Sequence, residues 1–271
     1  MNREQERHDM SPSHSDIADA FLDARHGGTA LPAYPGVPPE TLADAYAIQA
    51  LTIDRWPDAL AGWKVARIVD PWRARVGTDR YIGPIFARTV VEAGVVSDVP
   101  AYRGGSAAFE AEIALVLAED ADPDRTAWSI DDARALIGDV RLVVEAASSP
   151  LATIVTLGSL AAITAFGNNS GLILGPSVDL AAVREGSANV AIEGEQIGRA
   201  PLWGDTDGPL PAFVFALEQA ATLGRPLRRG QIISTGALTG VHKVTIGQHC
   251  SARFADLATI DCIVTPRPAG L

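Results

Sequence analysis

The stretch Phe109-Glu110-Ala111-Glu112-Ile113-Ala114-Leu115-Val116-Leu117 sets the pattern from which the fold follows. Side chains of a strand alternate between its two faces, so Phe109, Ala111, Ile113, Leu115 and Leu117 share one side and Glu110 and Glu112 the other. Two neighbouring carboxylates on one face of a strand otherwise made of core residues repel each other. They call for a counter-charge, and a bound cation is the simplest.

Working outward, a second strand is expected over Arg141 to Ala147, with Arg141, Val143 and Glu145 on one face. A lone Glu in a Val-rich strand ordinarily sits at a sheet surface; the pair upstream makes Glu145 a candidate partner in the same site. Three carboxylates on two strands leave about half of an octahedral shell for water and substrate, which suits a hard ion such as Mg²⁺ or Mn²⁺. No His/Cys cluster suggests zinc. A glycosidase acid pair fits poorly, because residues i and i+2 on one strand lie too close together to flank a sugar ring.

Upstream, Gly62-Trp63-Lys64-Val65-Ala66 also looks like a strand. The chain carries 22 Lys plus Arg, yet only Lys64 and Lys243 are lysines. Lysine exchanges a proton when its pKa is lowered, which guanidinium does not. Lys64 is therefore a catalytic candidate, against the plainer role of a lysine at a strand end whose head reaches solvent. Downstream, Ser234-Thr235-Gly236 ends a strand in a turn that can offer O–H and N–H groups to an anion. Asn168, Asn169 and Ser170 form a polar cluster before Gly171, either a plain turn or a contact for a substrate carboxylate.

The flanking texture is that of an α+β protein rich in strands. Met1 to Ser15 is polar and lacks the apolar core of a secretory signal, so a flexible tail (1–15) and a cytoplasmic protein are expected. Helices over Ser15 to Arg25 and Glu40 to Trp56 would make an N-terminal helical cap (16–60), with the catalytic domain over 61–271. Leu151 to Phe166 reads as one buried helix, Asn189 to Arg199 as a hairpin turning at Glu193-Gly194-Glu195, and Pro209 to Leu223 as a helix. Strands are expected over Gln231 to Thr235, His249 to Phe254 and Thr259 to Val264. Cys250 and Cys262 are too few for a disulfide framework and read as buried thiols. A net charge of −11 without a basic cluster argues against nucleic acid and an anionic membrane surface. No apolar run approaches the ~18 residues of a membrane span.

GWKV at Gly62 to Val65, GPIF at Gly83 to Phe86, FEAEIALVL, VVEAA at Val143 to Ala147 and STGALTG at Ser234 to Gly240 occur in an order and spacing with one match. The chain resembles the 2-keto-4-pentenoate hydratase and 4-oxalocrotonate decarboxylase branch of the fumarylacetoacetate hydrolase superfamily. True fumarylacetoacetate hydrolases carry a lysine after the third acid, whereas no lysine occurs here between Ala146 and Gly198.

The resemblance implies a mixed β-roll with the site at its mouth, Mg²⁺ or Mn²⁺ held by Glu110, Glu112 and Glu145, Lys64 as active-site lysine, and Thr235 against the substrate. It implies a homo-oligomer acting on a small anionic 2-oxo acid, as a hydratase that adds water to a 2-hydroxy-2,4-dienoate. Decarboxylation, C–C hydrolysis, an isomerase or cyclase-like reaction, and binding without turnover are the alternatives. Three departures stand out: Ala66 follows the lysine segment where relatives have Gly, Tyr81 stands where they have an acid, and the run after Glu145 lacks their Asp-Ser-Arg and Ala-Asp-Asn pattern.

Overall fold

The computed structural model describes residues 12–204 and 206–270. Of the expected tail, residues 1–11 lie outside the described residues. Ser13 is already the N-cap of the first helix: its hydroxyl accepts from the Asp16 N–H, and the Asp16 carboxylate accepts from the Ser13 N–H in return.

The cap consists of α1 (His14–Gly27) and α2 (Leu42–Arg55), after which the chain enters β1 (Leu60–Arg67), α3 (Trp72–Val76) and β2 (Arg80–Phe86). Short strands β3 (Val90–Glu92) and β4 (Ser97–Ala101) lead to the long β5 (Ser106–Leu117), α4 (Ile130–Ala135) and the equally long β6 (Ile137–Ser149). Two helical turns, α5 (Ile154–Leu157) and α6 (Ser159–Thr164), precede β7 (Asn169–Ser177), the hairpin β8 (Ser187–Ile192) and β9 (Glu195–Pro201), and α7 (Leu210–Thr222). Strands β10 (Ile232–Ser234), β11 (His242–Lys243), β12 (His249–Phe254) and β13 (Ala258–Pro266) complete the described chain.

The strands form a mixed sheet in the order β2-β1-β10-β5-β6-β7-β3, with β11 on β5, and a five-stranded sheet in the order β4-β13-β12-β8-β9. In the larger sheet β2 and β7, from opposite ends of the strand order, pack against each other, so the sheet curls into a roll. The alternation along β5 explains why both faces are filled. Phe109, Ala111, Ile113, Leu115 and Leu117 enter the main core on the outside of the roll. On the other face Ala114 joins Ile85, Val143, Leu172, Leu174 and Ile232 in a separate apolar plug. Glu110 and Glu112 share that inner face, so the plug sits beneath them along the roll axis.

The cap is tied to the roll by buried polar groups as well as apolar packing. From α2, Gln49 Nε2 donates to the Ile82 carbonyl at 3.1 Å and the Ile163 carbonyl at 3.0 Å, and Tyr46 Oη accepts from the Ile82 N–H at 3.1 Å. Each bond pairs a buried group that would otherwise be desolvated without compensation.

The hairpin turns at Glu193 and Gly194, both with positive φ (51° and 79°), as a two-residue loop between right-twisted strands requires. Cys250 and Cys262 are buried free thiols, opposite each other across β12 and β13. The single buried helix expected over Leu151 to Phe166 is not formed. It is broken at Gly158, whose φ of 85° and ψ of −175° lie outside any helix, and Val155 is 79% exposed. No helix among the described residues is long and apolar enough to cross a membrane.

Candidate metal centre and cleft

Antiparallel pairing of β5 with β6 sets Glu110 directly opposite Glu145, with Glu112 one pleat further along the same face. One oxygen from each carboxylate lies within 4.8 Å of those of the other two, and all three residues are buried. The strands on either side supply the remaining polar groups. Parallel pairing of β1 with β10 puts Lys64 beside Ser234, and β7 starts with Asn169 next to the Glu145 strand.

Each fully buried carboxylate is half satisfied. Glu112 Oε2 accepts from the Ser234 hydroxyl at 2.5 Å and the Gly236 N–H at 2.9 Å. Glu145 Oε1 accepts from Asn169 Nδ2 at 3.0 Å and lies 3.3 Å from the Lys64 ammonium. The other oxygens, Glu112 Oε1 and Glu145 Oε2, are buried and have no hydrogen-bond partner. Buried charged oxygens without partners are strongly disfavoured unless a cation meets them. Three oxygen donors of this kind suit a hard divalent ion, and the set as built could hold one.

The electrostatics agree. Burial, reinforced by neighbouring Glu145, raises the Glu110 carboxyl to about 7 despite the opposing pull of Lys64. Burial followed by the charges of Glu145 and Glu110 holds Glu112 well above the carboxylate range. For Lys64, burial alone would lower the pKa, yet Glu145 and then the Tyr81, Glu110 and Glu112 groups outweigh it, so the ammonium is favoured. The depressed lysine expected from an apolar strand is therefore not what the surroundings create. Its neighbours are acids, which the local sequence around Lys64 does not contain.

A cleft of about 690 Å³ opens above the carboxylates and reaches Lys64, Glu110, Tyr81, Asn168 and Thr235. Thr235 is thus at the cleft, with its hydroxyl donating to the Ile113 carbonyl at 2.7 Å. Asn168 is delivered by three successive left-handed residues, Phe166, Gly167 and Asn168 (φ 57°, 65° and 64°). That turn is possible because Gly167 presses on Gly83: a Cβ on Gly83 would lie 2.5 Å from Gly167 Cα. The buried Oδ1 of Asn168 has no partner, so it is available to a ligand or a water.

Asn169 and Ser170 do not line the cleft. Asn169 holds Glu145, and Ser170, on the opposite side of the strand, accepts from Arg267 Nη1 at 2.7 Å. Behind them the buried Arg25 of α1 donates from Nη1 to the Asn169 carbonyl at 2.9 Å, with its guanidinium 4.5 Å from the Phe166 ring centroid. Two contributions were missed from sequence. Ser234 and the Gly236 N–H serve Glu112 and not an external anion, and Tyr81, buried at the cleft, lies with its ring 5.7 Å from Lys64 Nζ. The hydroxyl-Gly turn was recognised, but its acceptor lies on another strand.

Solved structures share this curled mixed sheet. The chain is similar to 4-oxalocrotonate decarboxylase from Pseudomonas putida G7, in a structure with magnesium and adipate, at TM-score 0.76 and 18% identity over 97% of this chain and 98% of that one. It is also similar to fumarylpyruvate hydrolase from Pseudomonas aeruginosa, in complex with Mn²⁺ and pyruvate, at TM-score 0.51 and 15% identity, covering 78% and 91% of the two chains. A third is 5-carboxymethyl-2-hydroxymuconate delta-isomerase from Mycobacterium smegmatis, at TM-score 0.52 and 17% identity, covering 79% and 82%. No family model and no curated protein matches the sequence. At these identities the likeness is one of fold.

Proposed function

We propose that the chain is a divalent-metal-dependent lyase, a hydratase that adds water to a 2-hydroxy-2,4-dienoate of the 2-keto-4-pentenoate type. The observation that carries the reading is the buried triad of Glu110, Glu112 and Glu145, with orphaned carboxylate oxygens, beneath a cleft lined by Lys64. Mg²⁺ or Mn²⁺ bound there would supply Lewis-acid stabilisation of negative charge on the oxygens of a 2-oxo acid.

The chain's own residues account for the rest. Ser234, the Gly236 N–H and Asn169 hold two carboxylates in place, so the site needs little reorganisation on binding. Lys64 Nζ, favoured as the ammonium, donates a proton to substrate carbon or fixes the substrate carboxylate. In the hydratase reaction the dienol proton leaves oxygen and C5 gains one. Water then gives hydroxyl to C4 and a proton to C3, yielding a 4-hydroxy-2-oxo acid. Asn168 Oδ1 accepts from the dienol hydroxyl or from the attacking water, Thr235 lines the cleft beside them, and Tyr81 keeps bulk water from the lysine. Assembly as a homo-oligomer is part of the same proposal.

Decarboxylation of a 2-oxo diacid is the second reading, favoured by the end-to-end likeness to 4-oxalocrotonate decarboxylase. Incubating the protein and Mg²⁺ with 2-hydroxypenta-2,4-dienoate, and following loss of its ultraviolet absorbance, tests the first; release of CO₂ from 2-oxohex-3-enedioate tests the second. Undiminished turnover in EDTA would sink both. No turnover of either, with saturable oxalate binding, would leave a binding protein.

A further inference from the structure

Above its polar floor the cleft changes character. Its walls come from four separate parts of the chain, with Val69 and Trp72 from the region after β1, Val155 from α5, Trp203 after β9, and Leu238 and Val241 after β10. Val69, Val155 and Val241 are 66%, 79% and 65% exposed, so apolar side chains ring the mouth uncovered. Such a cluster is unfavourable in water and marks a place where something apolar is received.

The wall is also built, not incidental. A Cβ on Gly158 would lie 2.2 Å from the Trp72 indole, and one on Gly208 would lie 2.5 Å from the Trp203 ring. Each indole is seated on a glycine, and the break between α5 and α6 at Gly158 is what admits Trp72 to the cleft.

The two arginines beside the cleft share one carboxylate, Asp79. Arg80 Nη1 donates to both Asp79 oxygens, at 3.3 and 3.1 Å, and Arg67 reaches the same carboxylate at 4.0 Å. A second carboxylate at the end of a long chain would have to shed water against the apolar wall. An apolar tail displaces nothing but water.

We infer that the cleft selects 2-oxo acids, or their enols, that carry a long alkyl or aryl substituent, in preference to dicarboxylates. The inference rests on the 2-oxo acid head being held at the carboxylate triad. The cleft volume of about 690 Å³ far exceeds the needs of pyruvate and falls in the range of about 300–1,000 Å³ that encloses drug-sized molecules. Each methylene buried against the wall raises affinity by up to about fourfold.

The test is calorimetric titration of the full chain in Mg²⁺ with oxalate, pyruvate, 2-oxooctanoate and 2-oxosuberate, the last two having the same chain length but differing in a terminal carboxylate. The expected result is 2-oxooctanoate binding at least roughly thirtyfold tighter than pyruvate and at least about tenfold tighter than 2-oxosuberate. Val155→Asp, on an exposed position that does not threaten folding, and Trp72→Ala should each shrink the ratio of 2-oxooctanoate to pyruvate affinity at least about fivefold. Equal or tighter binding of 2-oxosuberate, or oxalate binding with no effect of the tail, overturns the inference and leaves the triad reading intact. Failure of both oxalate and pyruvate to bind in Mg²⁺ overturns the triad reading itself.

Discussion

The floor of the site and its wall are built on opposite principles. Glu110, Glu112 and Glu145 stand on two long central strands paired over more than ten positions, each with backbone partners on both sides. One part of the wall, residues 151 to 168, is a helix broken into two short pieces and followed by three left-handed residues, held from outside by the cap through Gln49 and Arg25. Rigid strands hold donor atoms within the few tenths of an ångström that chelation demands. Irregular backbone tolerates changes of sequence. On the proposed reading chemistry falls to the floor and selectivity to the wall.

The largest expected effect falls on the floor. Glu110→Gln or Glu112→Gln should lower metal-dependent turnover by about 10³-fold or more, with circular dichroism unchanged. Wild-type turnover in either would break the distinction between floor and wall. Lys64→Met comes next: kcat should fall by roughly 10²- to 10⁴-fold. Metal affinity should not weaken, because the cation competing for Glu145 Oε1 is gone; calorimetry with Mg²⁺ reads this directly.

The third prediction concerns pH. In the metal-free protein the folded-state pKa of Glu110, about 7, and that of Glu112 both exceed the ordinary value of 4.5. Raised values mean stability that is present at low pH and lost as pH rises through the folded pKa. The melting temperature of metal-free protein should therefore drop between about pH 5 and about pH 8, and the rise produced by Mg²⁺ should grow over the same window, since the ion displaces protons. A Mg²⁺ effect independent of pH would mean that the carboxyls are not the ligands.

Smaller effects belong to the wall and its supports. Gln49→Leu strands two buried carbonyls and should cost about 2 kcal/mol or more in urea unfolding, with looser substrate binding. Val155→Ala, at an exposed position, should leave stability within about 0.5 kcal/mol.

Legibility followed the same division. The alternation of β5 and the shared face of Glu110 and Glu112 could be seen in local sequence, because a period of two is intrinsic to an extended chain, whereas Glu145 as third acid was implied by the resemblance and is brought opposite Glu110 by the pairing of β5 with β6. The lysine was conspicuous by rarity. Asn168 and Thr235 were singled out and do reach the cleft, whereas Asn169 turned out to brace Glu145 and Ser170 to face Arg267. Neighbours in sequence there point to opposite sides, and which side is inward depends on how β7 docks. The helix expected after Glu145 failed because Gly158 makes room for Trp72, a contact between residues far apart in the chain.

By itself the sequence determined the long strands, the cap helices and the shared face of Glu110 and Glu112, since these follow from periodicities within a few residues. Only the tertiary structure decided that Glu112 is met by Ser234 and Gly236, that acids surround Lys64 and favour its ammonium form, and that the mouth is apolar. Those outcomes depend on curling distant strands into one roll, where burial and neighbouring charge set the chemistry.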